Sequence, residues 1–319
     1  MKLLLIVIAL LLLVLAGLAW FTLRTARRIE AYLPARGRFV EVPGARLHVR
    51  EAGSGPAVLL LHGLGGQSAH FDYGVFETLA RSHRVIAVDR PGSGYSARGA
   101  GAPADLSTQA AALAALIEHM GLERPTVAGH SLGGATALTL ALEHPDKVGA
   151  LALVAPLTHV QAAPPQVFKP LSIASPGMRK LFAWTLATPG GIAGGKKVLA
   201  TVFAPESAPH DFPVKGGGML SLRPSQFLAA SADMQALPGH MPGLVARYGQ
   251  LKVPTAVLYG REDALLDWQQ HGQALADKVP GLQLQLVDGG HMLPVTQPQV
   301  VADFIAGCAR LALPAGAAN

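Results

Sequence analysis

The sequence predicts an α/β protein. A mostly parallel sheet carries helices on both faces, an irregular helical block interrupts it, and an apolar helix precedes the whole. Three observations predict this. Short apolar runs (Ala57–Leu61, AVLLL; Arg84–Val88, RVIAV; residues 255–259, TAVLY) alternate with longer helical patterns, the rhythm of parallel strands buried on both sides. That rhythm stops after Pro156 and returns near residue 250. Residues 3–23 run for 21 positions without a charge, which is enough to span a bilayer as a helix.

Taken in order, residues 1–28 form the apolar segment and the basic residues that follow it. Trp20 and Phe21 suit the membrane interface, and Arg24, Arg27 and Arg28 suit the headgroup zone. One Lys before the segment and three Arg after it favour a cytoplasmic C-terminal part, whereas the short amino terminus Met1-Lys2 suits the opposite orientation. A cleaved signal peptide is the alternative, with Gly17-Leu18-Ala19 as a small-x-small site. The apolar run, however, exceeds the usual signal core of about 7–15 residues. The first reading makes the chain membrane-anchored, and the second makes it secreted or periplasmic.

Residues 29–36 read as a connector closing at Pro34. Arg38–Val42 and residues 46–51 flank Pro43-Gly44, a hairpin signal. A helix is expected over 107–120 with Asp105 or Ser107 as its cap, then a strand at 126–128, the helix Leu132–Glu143 and a strand at 148–154. Residues 157–250 hold Pro and Gly clusters with Phe- and Met-rich helical patches between them. A strand at 255–259, a helix at 265–278, the strand Gln283–Val287 and a helix from about 298 to 311 complete the pattern. The tail 314–319 (PAGAAN) is expected to be disordered. The expected units are an anchor (1–28), a core in two parts (37–156 and 251–312) and an inserted block (157–250).

Composition narrows the function classes. Of 319 residues half are apolar and 14% charged, which excludes a disordered chain. A single cysteine, Cys308, allows neither an internal disulfide nor a zinc cluster. The net charge of +6 divides unevenly. Residues 1–28 hold four basic residues and no acid, the inserted block has eight basic and three acidic residues, and the rest has 14 and 17. With no basic helix and no RNA-binding aromatic motif, nucleic acid is not an expected partner.

Gly129-His130-Ser131-Leu132-Gly133 fits G-x-S-x-G. The pattern is weak in a glycine-rich chain, but here it joins an apolar strand to a helix, the setting of a nucleophile elbow. Ser131 needs a base, and the base an orienting acid. His291 follows the strand QLQLV and Asp263 follows TAVLY, both at carboxyl ends of strands, where open α/β sheets carry their sites. Glu262, Asp267 and Asp288 are the rival acids. His130 reads as a packed neighbour of the elbow, His62 as a structural hydrogen-bonder and His144 as a helix end. The loop His62-Gly63-Leu64-Gly65-Gly66 follows AVLLL. Its Leu64 amide, with that of Leu132 after the nucleophile, is the expected oxyanion hole.

HGLGG, DRPGSGYS (residues 89–96), GHSLGG, GREDALL and GGHMLP together resemble the α/β-hydrolase family, in its capped esterase and lipase branch. The resemblance covers roughly residues 37–312. It implies an α/β-hydrolase fold with an eight-stranded, mostly parallel sheet and a cap inserted after the sixth strand. It also implies a triad of Ser131, Asp263 and His291, an oxyanion hole at Leu64 and Leu132, and no metal or cofactor. Epoxide hydrolases and haloalkane dehalogenases of this family use an Asp nucleophile, so Ser131 sets the chain apart from them. Carbon–carbon bond hydrolases and perhydrolase-like members share the Ser triad and stay open, as does a non-catalytic binding protein, which usually lacks a triad residue. The expected substrate is a small-molecule or lipid ester, with an apolar cap pocket rimmed by cations or, alternatively, a cap with only its own core. The expected membrane contact is the N-terminal helix. The oligomeric state is left open.

Overall fold

The computed structural model describes residues 1–161 and 163–312; the tail expected to be disordered lies outside them. The strands are β1 (Arg38–Val42), β2 (Ala45–Ala52), β3 (Ala57–Leu61), β4 (Arg84–Val88), β5 (Ala97–Arg98), β6 (Thr126–His130), β7 (Ala150–Val154), β8 (Thr255–Gly260) and β9 (Gln283–Val287). Eight of them form one path in the order β1-β2-β4-β3-β6-β7-β8-β9, and the two-residue β5 pairs with β2 off that path. The first two pairings along the path, β1 with β2 and β2 with β4, are antiparallel, and the remaining five are parallel. The apolar runs AVLLL, RVIAV and ALALV account for this. They are buried at nearly every position, as only a sheet covered on both faces allows.

The helices are α1 (Lys2–Tyr32), α2 (Val75–Leu79), α3 (Leu106–His119), α4 (Leu132–Glu143), α5 (Pro176–Thr185), α6 (Ala187–Phe203), α7 (Pro224–Ala246), α8 (Ala274–Ala276), α9 (Leu293–Thr296) and α10 (Pro298–Leu311). Helices α3 and α4 contribute to the apolar core on one face of the sheet, and α2 and α10 to that on the other. Asp105 caps α3 by accepting the Thr108 N–H at 2.7 Å. Helices α5, α6 and α7 make up the cap, inserted between β7 and β8.

Two expectations are corrected. Residues 29–36 are not all connector, because α1 runs on to Tyr32. Ile29 and Leu33 are buried against Leu220 of the cap, so continuing the helix buries apolar surface, and Pro34 follows directly after Leu33. The helix expected over 265–278 is broken into a π-helical turn at Gln269–Gln273 followed by the three-residue α8. Asp263 accepts the Leu265 and Leu266 amides ahead of that turn, and Asp267 accepts the Gln270 amide within it, which fixes short turns instead.

The cap aromatics divide between roles. Phe203 and Phe212 are buried, stack edge-on at 4.9 Å, and pack against Met292 and Val295 of the core. They seal the cap to the segment that follows His291. Phe182 and Phe227 pair within the cap, 5.1 Å apart.

Candidate active site

The elbow forms where β6 ends at His130 and α4 begins at Leu132. Ser131 sits between them at φ 55°, ψ −121°, a conformation that an L-residue holds only when its surroundings impose it. Its N–H donates to the Val154 carbonyl at 3.1 Å, and its own carbonyl accepts from Gly134 and Leu157 at 2.9 and 3.0 Å. The glycines of the motif answer to close approach. A Cβ on Gly129 would lie 2.5 Å from the Gly133 carbonyl oxygen, and one on Gly133 would lie 2.3 Å from that of Leu61. Any larger residue would push the helix off the sheet.

The Gly-rich loop after β3 meets the elbow directly. A Cβ on Gly63 would stand 3.3 Å from Ser131 Oγ, so Leu64, the next residue, starts beside the serine. Leu132 is the first residue of α4, and first-turn amides of a helix have no partner within it. Both expected oxyanion donors therefore belong to segments that abut Ser131, at a helix N-terminus that favours negative charge.

His291 and Asp263 come together. His291 Nδ1 donates to Asp263 Oδ2 at 2.7 Å, with side chains 5% and 1% exposed. A carboxylate only accepts, so Nδ1 carries the proton and Nε2 keeps its lone pair. The other carboxylate oxygen, Oδ1, accepts the Leu265 and Leu266 amides at 2.9 Å each. The rival acids do other things. Glu262 accepts the Gly289 amide, Asp267 accepts the Gln270 amide at 2.8 Å, and Asp288 lies in solvent 3.7 Å from Arg261. His130 ties the elbow to the histidine turn. Its Nε2–H donates to the His291 carbonyl at 3.0 Å, and the two rings are 4.9 Å apart. Among the described residues Ser131 Oγ makes no hydrogen bond to His291; catalytic contacts of this kind are often long without substrate and tighten in its complex.

Burial holds the surrounding histidines neutral. His62 is pushed down to about 3, first by burial and then by the Arg90 charge. Its ring accepts the Arg90 amide at 2.9 Å and donates to the Gly63 carbonyl at 2.8 Å. His130 is held well below its ordinary value, chiefly by burial. His144 ends α4.

Sequence reasoning passed over several residues that hold this site. Asp89 and Arg90, in the segment DRPGSGYS, are both buried. Asp89 accepts the Ser68 amide at 2.7 Å and the His48 ring and Tyr95 amide at 2.8 Å each. Burial alone would raise its pKa, but chiefly the His48 ring, with the Ser68 amide, brings it down to about 2. Arg90 donates to the carbonyls of His62 and Gly63 at 2.9 and 3.1 Å, and to Asp233 of α7 at 3.1 Å. Glu206, also from the cap, accepts the Gly290 amide at 3.1 Å. An acid-base pair followed by three turn residues was the available signal for Asp89 and Arg90. Glu206 has no local signature. Among the described residues no group of three or more His, Cys, Asp or Glu is placed to hold a metal.

The chain resembles known proteins along most of its length. An uncharacterized protein of Mycobacterium tuberculosis is 31% identical over 280 residues, 85% of this chain and 80% of that one. The 2-hydroxy-6-oxo-6-phenylhexa-2,4-dienoate hydrolase of Burkholderia cepacia is 28% identical over 76% of this chain and 82% of its own. The crystal structure of a bacterial membrane phospholipase A superposes with a TM-score of 0.68 at 25% identity, covering 97% of this chain and 99% of that one. The family described as alpha/beta hydrolase fold matches residues 56–298, from the strand ahead of the Gly63 loop to the first residue of α10, and the chain belongs to that family.

Proposed function

We propose that the chain is a membrane-anchored serine hydrolase of carboxylic esters, working through an acyl-enzyme on Ser131. The observation that carries the reading is a strained elbow serine whose chain neighbour His130 bonds the His291 turn, together with the His291 Nδ1–H held by Asp263 at 2.7 Å. In this scheme His291 Nε2 takes the Ser131 proton as Oγ attacks the ester carbonyl. Asp263 keeps the tautomer and balances the imidazolium. The oxyanion receives the Leu64 and Leu132 amides, and losing one such donor typically costs about 2.7–4 kcal/mol in the transition state. The imidazolium then protonates the departing alcohol, and a water activated by the same histidine releases the acid. The scheme calls for no metal or organic cofactor.

An amphiphilic ester, such as a monoacylglycerol or a lysolipid, is the favoured substrate. Three features support this: α1 is long and apolar enough to cross a membrane, the cap segment 157–250 carries a net positive charge, and a structure covering nearly the whole chain is a membrane phospholipase A. The flanking charges of α1 favour a cytoplasmic catalytic part. The test is fluorophosphonate labelling of the purified full-length protein, followed by an ester panel of increasing acyl length. Labelling lost in Ser131→Ala, with long acyl chains preferred, supports the proposal, and an intact protein that resists labelling overturns it.

One observation favours a second reading. The relative from Burkholderia cepacia is named for hydrolysis of a dienoate, and carbon–carbon bond hydrolases share the Ser triad. Faster turnover of a vinylogous diketone than of any ester in the panel would establish that reading instead.

A further inference from the structure

The lower half of α1 is not a free stalk. Leu15, Leu18, Ala19, Thr22, Ala26 and Ile29 recur at three- and four-residue spacing along one stripe of the helix and are shielded, while Leu12, Leu13, Val14 and Trp20 stay exposed. The bottom of the stripe is accounted for, because Ile29 and Leu33 pack on Leu220 and its neighbours, and Glu30 pairs with Arg223 at 3.1 Å. The cap helices α5 and α6 also pack on α1. Leu15 to Thr22 fall inside the uncharged 3–23 segment. At a rise of 1.5 Å per residue, Leu15 lies about 12 Å above the end of that segment at Leu23.

The same two cap helices expose large apolar side chains. Met178 and Leu181 of α5, Leu186 at the α5–α6 junction and Ile192 of α6 are 45–58% exposed. Lys180, Lys196 and Lys197 stand exposed on the same helices. Apolar side chains next to cations are what an anionic lipid interface accepts, with the side chains at the acyl boundary and the ammonium groups among the phosphates.

From this we infer that the α5–α6 face of the cap is a membrane-docking surface. It sits in the interfacial layer of an anionic bilayer beside α1, with Met178, Leu181, Leu186 and Ile192 dipping below the headgroups. The inference rests on the reading of α1 as a membrane span. It deepens that reading by giving the cap a lipid contact of its own and by bringing the cap, which packs on the segment after His291, to the surface where amphiphilic esters reside.

Single-cysteine probes in the full chain test it. Cys308 is buried, so an environment-sensitive maleimide dye reports on an introduced cysteine. Leu181→Cys, Ile192→Cys, Leu13→Cys at mid-span and Glu118→Cys on the far core surface are labelled and reconstituted into vesicles of phosphatidylcholine and phosphatidylglycerol. The vesicles carry doxyl quenchers either near the headgroup or near the acyl terminus, and retained fluorophosphonate labelling confirms that each variant is folded. The expected result is loss of fluorescence at 181 and 192 with the shallow quencher, at 13 with the deep one, and at 118 with neither. Quenching at 13 without quenching at 181 and 192 overturns the docking surface and leaves the anchor standing. No quenching at 13 overturns the anchor and the docking surface with it. Blue-shifted but unquenched probes at 181 and 192 mean that a second copy of the chain covers the face, which also overturns the inference.

Discussion

Arg90 of the core and Asp233 of cap helix α7 meet at 3.1 Å, with side chains 0% and 1% exposed. Arg98 bonds the second oxygen of the same carboxylate, and Gln109 completes the cluster. Arg90 is also the donor to the His62 and Gly63 carbonyls, so one guanidinium joins the cap to the loop that abuts Ser131. Desolvating this pair is expensive, but removing one partner is worse, because it strands an unpaired buried charge. Asp233→Ala is therefore expected to lower unfolding stability by about 3–5 kcal/mol, read from urea denaturation, and to slow Ser131 labelling by the fluorophosphonate. A loss below about 1 kcal/mol, the level of an exposed pair, would show that the cluster does not hold the cap.

The backbone of Ser131 makes a prediction that separates strain from chemistry. At φ 55°, ψ −121° a Cβ is unwelcome, and a left-handed conformation costs an L-residue roughly 1–2 kcal/mol. Ser131→Gly and Ser131→Ala both remove the proposed nucleophile and should both abolish labelling. Only the glycine removes the Cβ, so Ser131→Gly is expected to melt higher than Ser131→Ala. Equal melting temperatures would mean that the elbow is unstrained.

The histidine turn depends on Gly290 and a cap glutamate. A Cβ on Gly290 would lie 2.1 Å from the Ala204 carbonyl oxygen and 2.9 Å from Glu206 Oε2. Gly290→Ala must displace either the cap segment or the turn carrying His291. Overpacking of this kind typically costs about 1–3 kcal/mol. Displacing the His291 turn this way is expected to lower kcat by about tenfold or more, with KM for a small ester little changed. Glu206→Gln keeps a carbonyl acceptor for the Gly290 amide and should retain most activity, whereas Glu206→Ala should lose it by about tenfold. Steady-state kinetics of the three variants checks the order, and an active Gly290→Ala would remove the cap from the positioning of His291.

Much of this was legible in the sequence because the chemistry is tied to local patterns. Apolar runs marked all the central strands. GHSLGG foretold an elbow because Gly129 and Gly133 have no room for a side chain, and positions past TAVLY and QLQLV foretold that Asp263 and His291 would converge. What was not legible is what spans long sequence separations. Asp233 lies 143 residues from Arg90, and Glu206 lies 84 from Gly290; neither sits in a pattern that names its partner. The continuation of α1 to Tyr32 was hidden for the same reason, since it depends on Leu220, far along the chain. The aromatic content of the cap left open a substrate lining or a core of the cap's own, whereas Phe203 and Phe212 seal the cap to the core.

Acid should destabilise this fold well above the pH at which carboxylates ordinarily titrate. His62 is held at about 3 and His70 and His271 at about 4, in each case chiefly by burial, against an unfolded value of about 6.5. Each group thus binds its proton more tightly in the unfolded chain. Stability rises with pH wherever the unfolded state holds more protons, so the contribution of these histidines is complete above about pH 6.5 and is lost as pH falls towards their folded values. Asp89 adds a second, lower window. Its folded value of about 2 lies below the unfolded carboxylate value of about 3.9, so its share is present above that value and disappears between the two. Melting temperature measured from about pH 7 to pH 4 should therefore fall continuously, with several histidines adding to the slope. Replacing His62 by Gln keeps a neutral polar side chain and removes one titrating group. That variant should start from a lower melting temperature, because the bond to the Arg90 amide is perturbed, and decline less steeply in acid. A wild-type profile flat down to about pH 4.5 would mean that the buried histidines are already charged in the native state, which the absence of any acid partner on the His62 ring argues against.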